Sequence, residues 1–106
     1  MVKLDAATRM EIASTLRRAA EAAILEDEFW RRFRDWTNKG EDPRVMIAWE
    51  QADHYWSNFH RKNIFLVRLK PDDGQLQQGR EALRLLAKAF EEDWSEQRIE
   101  KALQQV

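Results

Sequence analysis

Apolar residues recur along this chain at helical spacing and change phase at a few definite places. At about 100° per residue, Ile12, Leu16, Ala19 and Ala23 share one narrow face of a helix that begins near Asp5, a good N-cap residue. Alanines at 19, 20 and 23 make that face thin, so a neighbouring helix can approach its backbone closely. If the helix ran on unbroken, Trp30 would return to the stripe, but Glu26 and Asp27 would return with it. Two resolutions follow. Either the helix breaks between Leu25 and Asp27 and a second one, Asp27 to Trp36, starts in a new phase, or carboxylates are held inside a bundle; the break is the preferred reading.

Gly40 is a stop signal, and Asp42 before Pro43 is an N-cap followed by a proline at the first helical position, so a new helix starts at Pro43. Its apolar face is read as Val45, Trp49, Ala52, Trp56 and Phe59, widened by Met46, Ala48 and Tyr55. Glu50, His54, Asn58 and Arg61 lie opposite, with Ile47 as a misfit. The run Asn63 to Lys70 is β-branched and aromatic, bounded by Pro71 and Gly74. It reads equally as a short strand, a helix extension, a packed connector, or a segment that pairs with its counterpart in a second chain. From Asp73 the stripe Leu76, Gly79, Leu83, Leu86, Ala87, Phe90 and Trp94 predicts a helix without ambiguity. Ile99 and Leu103 fall out of phase with it, which predicts a turn at Asp93 to Ser95 and a short last helix capped by Asp93 or Ser95.

With 106 residues, two prolines and three glycines, the chain has room for one domain with strong helical propensity. The expected fold is all-α, a compact four- to five-helix bundle. Apolar residues left over once each stripe is packed, Ile47, Leu85, Leu25 and part of Ile64 to Leu69, point to a homodimer with Ile47, Ile64, Leu66 and Leu85 at its interface. Without cysteine there is no disulfide, thiolate nucleophile or cysteine-ligated metal. The amino-terminal residues lack the apolar run of a signal peptide and no stretch is long enough to span a membrane, so a cytoplasmic protein is expected.

Eighteen basic and nineteen acidic side chains give a net charge of −1, which excludes the overall basic field of a dedicated nucleic-acid binder. The charge is uneven: residues 31–70 carry nine bases against five acids, interleaved with Trp30, Phe33, Trp36 and Phe59. That pattern suits phosphate contact and base stacking, but as a weak field it is read first as a solvated face. The final helix balances acids and bases and makes a poor recognition helix. His54 and His60 point apart and cannot chelate one ion together, and Ser57 beside Asp53 and His60 lacks oxyanion donors in mid-helix.

Five tryptophans are a heavy load for so short a chain. Core volume accounts for them most simply, but Trp30, Trp49, Tyr55, Trp56 and Trp94 also have the makings of a pocket for a small apolar or cationic ligand. Glu50 and Asp53, spaced Glu-x-x-Asp on one helix face, can present oxygens to one Mg²⁺, with Glu26 and Glu28 as the carboxylates of a neighbouring helix. In this the chain resembles the all-α nucleotide pyrophosphohydrolases of the MazG type. The resemblance rests on Glu50 and Asp53 and the acids at 26–28, and the Glu-x-x-Glu expected on the first of the two helices is not present. It implies a Mg²⁺-dependent enzyme; no cofactor is expected otherwise.

The leading reading is therefore a non-enzymatic helical module that binds another protein and a second copy of itself. Behind it stand the Mg²⁺-dependent pyrophosphohydrolase, the tryptophan-lined ligand pocket and, last, nucleic acid.

Overall fold

The computed structural model describes residues 4–39, 42–63 and 73–106, without the side chains of residues 39, 58–63 and 73–75. Among them are five helices and no strand: α1 (Ala6–Ala20), α2 (Glu26–Lys39), α3 (Pro43–Asn63), α4 (Asp73–Glu91) and α5 (Glu96–Leu103). The all-α expectation holds, and none of these helices is long and apolar enough to cross a membrane. Residues 64–72, including Ile64 and Leu66 of the expected interface, lie outside the described residues, as does Gly40.

Local chemistry explains most helix ends. Asp5 caps α1, its Oδ1 accepting the Thr8 N–H at 2.7 Å. Asp42 does the same for α3, accepting the Arg44 N–H at 2.9 Å ahead of Pro43. Of the two expected caps for the last helix, Ser95 is the one used, accepting from the Arg98 N–H at 3.2 Å. The phase change after α1 is a genuine break, earlier than the sequence suggests. α1 stops at Ala20, so Ala23 is exposed in the turn rather than on the α1 stripe. α2 then begins at Glu26 and runs three residues beyond Trp36. Glu26, Asp27 and Glu28 fill its first turn, where carboxylates face the positive end of the helix dipole.

α1 and α4 form the central pair and run antiparallel: Arg9 near the start of α1 donates to the Phe90 carbonyl at the end of α4. Ile12, Leu16 and Ala19 pack there with Leu83, Leu86, Ala87 and Phe90, all fully buried, and each large side chain contributes about 1.5–3 kcal/mol. Buried Thr15 costs little because its hydroxyl donates to the Glu11 carbonyl. α3 lies along α4 at the point where Gly79 leaves room for the Tyr55 ring. α5 folds back over α4 and closes the bundle with Ile99.

The rotation of α3 departs from expectation. Its buried apolar positions among the described side chains are Val45, Ala48, Ala52, Tyr55 and Trp56, whereas Trp49 is 37% and Met46 49% exposed. The reading of Trp49 and Met46 as core residues is thus corrected. Two small alanines, not the tryptophan, face the bundle, because close helix approach favours small side chains at the contact. Ile47, the apparent misfit, packs partly buried against the core, as does Leu85.

Candidate functional site

α2 and α3 are joined by residues 40–42 alone. Phe29 and Trp30 near the start of α2 touch Trp56 and Trp49 in α3, so α2 runs back along α3 as an antiparallel hairpin. At its outer seam the rings of Trp30 and Trp49 meet with centroids 5.5 Å apart and planes at 55°. Trp30 is held from both sides. Its Nε1 donates to Glu26 Oε2 at 3.0 Å, and its ring stands edge-on to Phe29 at 5.1 Å. Phe29 in turn stacks on Phe33 at 4.6 Å and meets Trp56 at 5.8 Å, and Trp56 meets Tyr55 at 5.2 Å. Surface tryptophans are thereby anchored to the core by a continuous chain of rings, each contact adding about 0.5–1.5 kcal/mol beyond burial.

Helical spacing sorts what flanks this ridge. On α2, Asp27, Trp30, Arg31 and Arg34 share one face, 27/30 and 31/34 three apart and 27/31 and 30/34 four apart, and line a hollow of about 540 Å³. On α3, Met46, Trp49, Glu50 and Asp53 repeat the same intervals and are all exposed. Among the described residues, the side chains of Arg31, Arg34, Glu50 and Asp53 make no hydrogen bond or ion pair. The face is thus an aromatic ridge with two arginines on one side and a methionine and two carboxylates on the other.

The other expected sites are placed differently. Four of the five aromatic candidates, Trp30, Trp49, Tyr55 and Trp56, belong to the ring chain just described, but Trp56 and Tyr55 are buried within it. Trp94 sits apart at the α4–α5 turn, its carbonyl accepting from Arg44 and the Arg98 guanidinium 4.0 Å above its ring. A second hollow, about 350 Å³, lies between α3, α4 and the end of the chain and is lined by Gln51, His54, Tyr55, Gln78, Gly79, Ala82, Leu103 and Val106. Each hollow has only one of the five aromatics in its wall, Trp30 in the first and Tyr55 in the second. The acidic candidates do not form one group. Glu26 is engaged by Trp30, Glu28 pairs with Arg32 at 2.8 Å, and Glu50 and Asp53 are exposed on α3. No three His, Asp or Glu side chains among the described residues gather closely enough to hold a metal ion.

The chain matches no family model, no curated protein and no solved structure. Its chemistry is therefore read from its own geometry. Sequence reasoning missed Met46 and Trp49 as a surface because bulk drew the expected stripe toward them. The signal that locates them is the pair Ala48 and Ala52, which marks where α3 approaches its neighbours.

Proposed function

We propose that this protein is a small helical interaction module that acts by binding protein, a second copy of itself included, through the outer face of the α2–α3 hairpin. One observation carries the reading: Trp49 and Met46 stand 37% and 49% exposed beside Trp30, on a ridge whose base is fixed in the core. Scattered single apolar residues are ordinary on a surface, but adjoining large ones with arginines at their edge have the composition of an interface centre. Tryptophan, methionine and arginine are the residue types enriched there, and rings already immobilised lose little further entropy on binding.

The test is a photo-reactive residue placed at Met46 in living cells. Discrete adducts are expected, lost when Trp49→Asp is added and not seen when the same residue is placed at Glu96 on α5. No adduct at 46, or equal yield at both positions, overturns the reading.

A further inference from the structure

We infer that the occupant of this face is a second copy of the chain, docked about a two-fold axis that runs along the α2–α3 seam at the Trp30–Trp49 pair. The inference rests on the reading of the face as an interface and adds the identity and geometry of the partner. Its ground is the arrangement of charge: the arginines lie on the α2 side of the ridge and the free carboxylates on the α3 side. Rotation by half a turn about an axis in the contact plane and along the seam between the two helices exchanges the two sides. It sets α2 of each copy over α3 of the other. Arg31 and Arg34 of one copy then face Glu50 and Asp53 of the second, twice over, as an isologous contact requires.

The apolar parts agree with this docking. The hollow beside Trp30 on α2 has no counterpart among the exposed side chains of the same helix, whereas Met46 and Trp49 project from α3. The two-fold carries Met46 toward the partner's hollow in each half and sets the two Trp30–Trp49 pairs against one another at the axis. Asp27 at the hollow's edge opposes the pairing, and the two arginine–carboxylate pairings of each half outnumber it. A partner of uniform charge would meet repulsion from one side of the ridge or the other. Only a surface with basic and acidic strips in the opposite order matches both, and the chain itself presents one.

The experiment is a charge-reversal exchange followed by sedimentation velocity, with helical circular dichroism to confirm folding of these exposed variants. Wild type is expected to dimerise. The pair R31E/R34E and the pair E50R/D53R should each weaken the dimer by on the order of tenfold or more, and an equimolar mixture of the two should restore association. A wild-type protein that stays monomeric overturns the self-docking, while adducts at Met46 would still uphold the face as an interface for another protein. A dimer abolished by Trp49→Asp but not recovered in the mixture overturns the two-fold arrangement and keeps the face. A dimer indifferent to Trp49→Asp and to both reversals overturns inference and interface together.

Discussion

Arg44 Nη1 donates to Asp93 Oδ1 at 2.6 Å, which ties the first turn of α3 to the turn that ends α4. The same guanidinium grips Asp42 through Nε and Nη2, donates to the Trp94 carbonyl at 3.0 Å and lies 5.9 Å from the centre of the Phe90 ring. It is 9% exposed and its donors are directed in a fork that a lysine ammonium cannot reproduce. Arg44→Met should cost about 3 kcal/mol, since it leaves the Asp42 carboxylate buried without its cation. Arg44→Lys should recover only part of that. Urea unfolding of the three proteins checks the order, and equal midpoints for wild type and Arg44→Met would show that the network contributes nothing net.

The same network sets an acid limit on stability. Burial pushes the Asp42 carboxyl up, but hydrogen bonds from the Arg44 side chain and backbone, with the guanidinium charge, more than reverse this, and its pKa falls below the ordinary 3.8 despite the nearby Asp93. A folded-state pKa below the unfolded one means that the native state binds fewer protons. The stabilisation is therefore complete above 3.8 and is lost as pH falls from there toward the folded value. Asp5, lowered by its hydrogen bond from the Thr8 backbone, acts in the same window. Asp42→Asn preserves the cap and removes the charge, so its urea midpoint should fall less steeply than wild type on acidification below about pH 4.

Two helices end on left-handed residues that are not glycine, Ala22 and Asp93, both at φ 57°. Each closes a Schellman motif: the Ala23 N–H donates to the Arg18 carbonyl at 2.7 Å and the Trp94 N–H to the Ala89 carbonyl at 2.9 Å. An L-residue in this region costs roughly 1–2 kcal/mol, and the extra freedom of glycine in the unfolded chain returns up to about 1 of that. Ala22→Gly, at an exposed position, should thus stabilise by about 0.5–1 kcal/mol in thermal unfolding. Asp93→Gly relieves the same strain but severs the contacts to Arg44 and Arg9 and should destabilise. Opposite signs at two geometrically matched positions would separate backbone strain from side-chain pairing.

These caps also show what the sequence disclosed and what it did not. Asp5, Asp42 and Ser95 were legible because a side-chain oxygen ahead of a helix has one local job, independent of tertiary contacts. The stop at Ala20 was not, since an alanine in the left-handed region carries no signal of its own and is held there by the fold. The α4 stripe was legible because Leu83, Leu86, Ala87 and Phe90 are buried on one uniform face. The α3 face was misplaced because Ala48 and Ala52 weigh little in any tally of hydrophobicity yet decide how closely helices approach. The candidate site inherits that misjudgement: Trp30 and Trp49 were recognisable as candidates, but their meeting at the surface depends on the rotation of α3.

Gly79 and Tyr55 give the sharpest measure of that close approach. A Cβ at position 79 would lie 3.1 Å from Tyr55 Cδ1 and 3.5 Å from its Cβ. The ring is fully buried and its hydroxyl donates to the Ala19 carbonyl at 3.0 Å, so it must give by a few tenths of an ångström at the expense of that bond. In an open helix Gly→Ala gains about 1 kcal/mol, so a Gly79→Ala variant that loses stability reports the clash directly. In a Tyr55→Ala background the clash is gone, and the same substitution should stabilise by up to about 1 kcal/mol. Tyr55→Phe removes only the hydroxyl. Because the Ala19 carbonyl still accepts the Ala22 N–H at 3.2 Å, no acceptor is orphaned, and the loss should sit near about 1 kcal/mol. Urea unfolding of this double-mutant cycle isolates the coupling between the two positions, and a cycle that closes to zero would mean that α3 and α4 do not meet here as closely as the Gly79–Tyr55 geometry requires.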